Sequence, residues 1–117
     1  MNDIASILIE LQEQATRPYF AWLNVLDMGE HFIKARLYVR QDIFIQVYRN
    51  DQTQLTNFVL ILGGQRVYGR DEIGGIWHRH PFDDPVQHDR SDEGSKALTL
   101  SEFIEEVMEI LTELELL

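Results

Sequence analysis

Ile33-Lys34-Ala35-Arg36-Leu37-Tyr38-Val39 and, after Arg40-Gln41-Asp42, Ile43-Phe44-Ile45-Gln46-Val47-Tyr48 decide the fold of this chain. In both runs a strongly apolar residue stands at every second position. Neighbouring side chains of an extended strand point to opposite faces, so a period of two makes each run a strand with one buried face. Residues that face each other across a hairpin share a face of the sheet, and a slip of one residue would mix buried with polar side chains. The pattern therefore sets Val39 opposite Ile43 and Leu37 opposite Ile45, with Arg40-Gln41-Asp42 as an odd-length turn. Lys34, Arg36, Tyr38, Gln46 and Tyr48 then gather on the other face.

Downstream of this hairpin, residues 50–53 have the composition of a turn. Leu55–Leu62 is apolar on both parities, which marks a central strand covered on both faces. Gly63-Gly64 makes a hairpin turn into a strand over 65–70, with Arg66, Tyr68 and Arg70 on one side and Val67 on the other. Residues 71–75 read as a second glycine-bearing turn, and Ile76–His80 as a short last strand ended by Pro81. Residues 81–97 form a loop whose length makes it functional or mobile. Upstream, residues 19–26 are aromatic-rich and form a candidate first strand, although Ala21-Trp22-Leu23 fits a helix too.

Helices flank the strands. Ile4, Ile7, Leu8 and Leu11 recur at helical spacing within residues 3–15, Asn2 or Asp3 can cap that helix, and Arg17-Pro18 stops it. At the other end Thr99 with Glu102 matches a capping box, and Leu98 with Phe103 a hydrophobic staple. Leu100, Phe103, Ile104, Val107, Ile110, Leu111 and Leu114 then form an apolar stripe opposite five glutamates. The expected architecture is a single α+β domain: an N-terminal helix, an antiparallel β-meander of about five or six strands and a C-terminal helix, both helices packed on one sheet face. The stripe continues to Leu116-Leu117, and with the sheet edge it makes a homodimer an expectation.

The chain has 117 residues, enough for one core and too few for two. No apolar run reaches the ~18 residues of a membrane span, and the N-terminus lacks the positive region of a secretory signal. A cytoplasmic protein with no membrane partner is expected. The absence of cysteine excludes disulfides, thiolate nucleophiles and sulfur-ligated zinc. A net charge of −10 argues against a general nucleic-acid binder. The charge is uneven, however. Residues 83–117 hold eleven acids and two bases, whereas residues 32–80 hold four acids and seven bases. The plainer reading is a solvated acidic helix; the sharper one is that the acidic tail helix shields or competes for a basic face.

The densest chemistry lies at Trp77-His78-Arg79-His80-Pro81, joined by His88. On a strand, His78 and His80 point the same way, and a loop can return His88 to them. One reading is a metal site, with His78, His80 and His88 as ligands of zinc or a similar divalent ion. A second is metal-free acid–base chemistry on a phosphodiester. There Arg70 and Arg79 hold the phosphate, Tyr68, Trp77 and Phe82 stack a base, and Lys34 and Arg36 extend the basic path. A third is structural, with the histidines as a clasp in a non-catalytic, dimerising interaction domain. His31, beside Glu30, reads as a surface histidine. No phosphate-binding glycine loop and no nucleophile elbow is present, so no nucleotide cofactor is implied.

Val67-Tyr68-Gly69-Arg70-Asp71, then Trp77-His78-Arg79-His80-Pro81-Phe82, His88, and Leu98-Thr99-Leu100-Ser101-Glu102-Phe103-Ile104 together resemble the TumE-like family, small prokaryotic toxin components of type II toxin–antitoxin pairs. The resemblance covers about residues 30–112. It implies a strand-rich body, a closing helix, an RNA-directed (ribonuclease-like) or translation-directed toxin, and a cognate antitoxin as partner. Carried over by position, it makes Asp71, His80 and His88 the catalytic candidates, with His78 beside them. The chain departs from the family pattern where Glu72 follows Asp71 in place of an asparagine, and its histidines around the proline are sparser.

Overall fold

The structure, a computed structural model, describes residues 3–117. Its elements are α1 (Ile4–Ala15), β1 (Trp22–Met28), β2 (Phe32–Arg40), β3 (Ile43–Asn50), β4 (Leu55–Leu62), β5 (Gln65–Ile73), β6 (Ile76–His80) and α2 (Leu100–Glu113). The six strands form one sheet in the order β1-β2-β3-β4-β5-β6, every pair antiparallel. The expected α+β meander between two helices is the observed fold. The first strand begins later than expected, at Trp22, because Phe20 turns into the core.

The hairpin between β2 and β3 meets the alternating pattern in an unexpected way. Leu37 does pair with Ile45, but Arg40 rather than Val39 lies opposite Ile43. The turn is therefore Gln41-Asp42 alone, and the register shifts between Tyr38 and Arg40. A two-residue turn would by itself put Tyr38 against Ile45. The bulge adds one residue to β2 and restores the phase, so a tight turn and an unmixed buried face coexist. The second correction is at β5. Asp71, Glu72 and Ile73 belong to the strand, and the turn is only Gly74-Gly75, with φ of +58° and +87°. Two consecutive positive φ values suit a two-residue hairpin turn and favour glycine at both places. Asp71 consequently pairs with His78, and Gly69 with His80.

One face of the sheet is the core. Ile33, Ala35 and Leu37 of β2, Ile45 and Val47 of β3, and Phe58 and Leu60 of β4 are buried there. Ile4, Ile7 and Leu11 of α1 and Phe103, Ile104, Val107 and Leu111 of α2 pack onto them, so both helices lie on that face. Each such side chain contributes about 1.5–3 kcal/mol relative to exposure. Both helices start as the sequence indicates. Asp3 accepts from the Ser6 amide at 2.8 Å. Thr99 Oγ1 accepts from the Glu102 amide at 3.1 Å while Glu102 accepts from the Thr99 amide at 2.9 Å. Asn2, the alternative cap of α1, lies outside the described residues.

The other face carries no helix and is called the open face below. Phe44, Val59 and Ile61 form a small buried cluster on it with Tyr38, which is why β4 is apolar on both parities. Among the described residues no helix is long and apolar enough to cross a membrane.

Candidate functional site

Strand parity sorts the chemistry of β5 and β6 between the two faces. Asp71, His78 and His80 point to the open face, in line with Lys34, Tyr48 and Asn57 in one cross-strand row and Arg36, Gln46 and Val59 in the next. Tyr68, Arg70, Trp77 and Arg79 point to the helix face.

The loop after Pro81 brings in the third histidine. Arg79 and Asp89 exchange backbone hydrogen bonds at 3.0 and 2.8 Å, and the Arg79 Nη2 meets Asp89 Oδ2 at 2.6 Å. Asp89 is thus fixed to β6, and its neighbour His88 is folded onto the open face. The ring centroids of His78, His80 and His88 stand 4.8–4.9 Å apart in all three pairs, with His78 and His88 nearly parallel at 14°. One nitrogen from each ring can be chosen so that all three lie within 4.8 Å of one another. The Nε2 atoms of His78 and His80 are 3.2 Å apart. Asp71 Oδ2 is 3.0 Å from His80 Nε2 and 3.6 Å from His78 Nε2.

Hydrogen bonding fixes how these groups are poised. His80 Nδ1 lies 2.8 Å from the Pro85 carbonyl, which can only accept, so Nδ1 carries the proton and donates. In the neutral ring the lone pair is then on Nε2, and it faces the carboxylate of Asp71. Two acceptors at 3.0 Å repel unless positive charge sits between them. A proton on either group, or a shared cation, satisfies that contact. His78 is buried, and that burial, with its neighbouring imidazoles, holds it below the ordinary histidine range against the pull of Asp71.

Gly69, opposite His80, is closely packed against β4. A Cβ there would stand 3.1 Å from the Phe58 carbonyl oxygen and 3.3 Å from the Val59 side chain. A cavity of about 90 Å³ opens beside His80, lined by Val59, Arg66, Asp71 and Pro85. Arg66 is exposed at this place. It is the cation nearest in register to the cluster that the sequence reading did not assign to the site. Strict alternation sets Arg66 on one side with Tyr68 and Arg70; the bulge between Leu60 and Ile61 instead places it opposite Ile61, on the open face, and no periodicity signals that bulge.

The helix face corrects the expected phosphate clamp. Arg70 is fully buried. Its Nη2 and Nε donate to the two oxygens of Glu106 at 2.7 and 3.1 Å, and its Nη1 donates to the carbonyls of Glu93 and Gly94 at 2.8 and 3.3 Å. Arg79 is committed to Asp89. Tyr68 is buried and donates to Glu106 at 2.7 Å, and that burial, with the Glu106 carboxylate, pushes its phenol up to about 12. Trp77 packs against Phe58 with ring centroids 6.1 Å apart. Arg70, Trp77 and Arg79 thus lie across the sheet from the histidines, whereas Tyr68, though its ring is on the helix face, also lines the cavity beside His80. Lys34 and Arg36 do share the open face, but β2 is four strands from β6, about 19 Å away at ordinary strand spacing. His31 Nδ1 lies 2.8 Å from the acceptor Asp51 Oδ1 and takes no part in the cluster.

No protein-family model, curated protein or solved structure matches this chain.

Proposed function

We propose that this chain acts on RNA as the toxin-like member of a toxin–antitoxin pair in the cytoplasm, with the His78, His80, His88 and Asp71 cluster as its reacting centre. The observation that carries the reading is the convergence of three imidazoles on the open face, His88 exposed, with the Asp71 carboxylate beside His78 and His80. RNA cleavage needs an acceptor for the 2′-hydroxyl proton and positive charge against the phosphate. The cluster offers both, as lone pairs and as the proton or cation that those lone pairs require. The open face leads towards the cluster with groups that suit a single strand. Trp22 stacks on Tyr38 at 4.5 Å and 13°, and Arg36 lies 4.6 Å over the Phe44 ring. The resemblance to TumE-like proteins supplies the toxin role and the antitoxin partner.

The test is cleavage of a single-stranded RNA oligonucleotide by the purified chain, beside growth of cells in which it is induced. His80→Ala should slow cleavage at least ~100-fold, the lower bound for loss of a proton-transfer group, and should relieve the growth defect. An equal cleavage rate in wild type and His80→Ala sinks the proposal.

A second reading, a homodimer, draws on the bare edge of the sheet. β1 pairs only with β2, and Val25, Leu26 and Met28 on it are exposed. An unpaired strand edge of this kind invites a further strand. Sedimentation should show a dimer that Leu26→Lys dissociates. A wild-type chain that sediments as a monomer at all concentrations rejects it.

A further inference from the structure

We propose that His78, His80 and His88 bind one divalent ion of the zinc class, with the Asp71 carboxylate as the fourth ligand.

Spacing is the first ground. Two ligands on a tetrahedral ion with bonds of about 2.0–2.1 Å stand roughly 3.3 Å apart. His78 Nε2 and His80 Nε2 are separated by 3.2 Å, and Asp71 Oδ2 lies at 3.0 and 3.6 Å from them. His88 completes the ring of donors, with all three histidine donor atoms inside 4.8 Å. Small rotations about the His88 side chain, which is exposed on a loop, close that last gap.

The partner of His80 is the second ground. Metal-bound histidines almost always donate their other ring N–H to a carbonyl or carboxylate, which fixes the tautomer and aims the lone pair. His80 does this through Nδ1 to the Pro85 carbonyl at 2.8 Å. The bond leaves Nε2 as the donor atom, on the side where His78 and Asp71 meet it.

The donor set is the third. Three imidazole nitrogens and one carboxylate oxygen, with no cysteine in the chain, suit zinc, cobalt(II) or nickel(II) rather than soft copper(I) or the all-oxygen shells of magnesium and calcium. A bound ion also resolves the facing lone pairs of His80 and Asp71 without a proton. It joins the paired strands β5 and β6 to the loop that carries His88, which is otherwise tied to β6 by the Arg79–Asp89 contacts and the Pro85 carbonyl.

The full chain, stripped with a chelator and dialysed, is titrated with zinc against a chromophoric chelator of known affinity, and separately with cobalt(II). One zinc per chain and a four-coordinate cobalt(II) absorption band are expected. His88→Ala should lose more than ~100-fold in zinc affinity, beyond the 10–100-fold typical for loss of a group behind a ligand. His88 is exposed, so its far-ultraviolet circular dichroism should match wild type. His31→Ala, outside the cluster, should bind as wild type does. The site is overturned if wild type takes up no zinc in competition, or if His88→Ala and His31→Ala bind zinc equally. Zinc is measured without RNA. A chain that binds zinc and leaves RNA intact with the metal present therefore overturns the RNA reading alone, and one that cleaves RNA but takes up no zinc overturns the metal site alone.

Discussion

Glu106→Ala should lose about 3–5 kcal/mol of folding stability, the usual cost of stripping the partner from a buried charge. Arg70 has no exposure to water, and Glu106 is its one anionic partner. Burial opposes the guanidinium charge, and the two bonds to Glu106 outweigh it, so Arg70 sits above its ordinary value. Without Glu106, the carbonyls of Glu93 and Gly94 remain but cannot neutralise the charge. Tyr68 loses its acceptor in the same step. The loss should appear as a lower midpoint in urea with an unchanged slope. A midpoint within experimental error of wild type would mean that water reaches Arg70 in solution. Glu106→Gln, which keeps an acceptor but not the charge, should fall between the two.

The second large effect is expected at Arg49 and Glu72, on the same face but nearer its rim. Arg49 Nη1 donates to Thr56 and to Glu72, both at 2.8 Å, and Thr56 donates to Glu72 at 2.9 Å. The side chains of Arg49 and Glu72 are 7% and 12% exposed, and Arg49 Nε is buried with no partner. Glu72→Ala strands the charge, and the cost should lie near the lower end of the same 3–5 kcal/mol range. The reason is a cavity of about 430 Å³ lined by Arg49, Thr56, Glu72, Trp77 and Leu100, which gives water a way in. Arg49→Met combined with Glu72→Leu should recover most of the stability lost by Glu72→Ala, since no charge is then left behind. A double variant as unstable as the single one would show that packing, not the stranded charge, sets the cost.

These two networks explain why part of the site escaped a reading of the sequence. The alternation at Ile33 to Val47 is a local signal, and it identified the strands, the helix face and the meander. The capping box at Thr99 is equally local. The faces of β6 were legible too: residues two apart point the same way, so His78 and His80 share a face and Trp77 and Arg79 take the other. The expectation that Arg79 and His80 would serve one phosphate ignored that parity. The remaining step was the turn at Gly74-Gly75. Read as two residues rather than five, it places Asp71 opposite His78 and Gly69 opposite His80. What no periodicity encodes is the path of residues 81–89. His88 reaches the cluster through one backbone bridge at Asp89 and a carbonyl from Pro85. Neither has a residue-type signature. Likewise the basic residues of β5 looked available, and only the packing of α2 shows that Glu106 had already claimed Arg70.

Pairing only between sequence neighbours has a consequence for motion. A meander can come apart from an end, strand by strand, without disturbing the strands that remain. β6 is such an end: its partners are β5 on one side and the single bridge from Asp89 on the other. The cluster draws all its members from residues 71–88, so it belongs wholly to this terminal hairpin and its loop. Fraying of β6 would scatter the three imidazoles while α1, β1–β4 and their core stay folded. The three imidazoles therefore sit on the part of the molecule that can open and reclose by local unfolding, fastened to a sheet that need not move when they do.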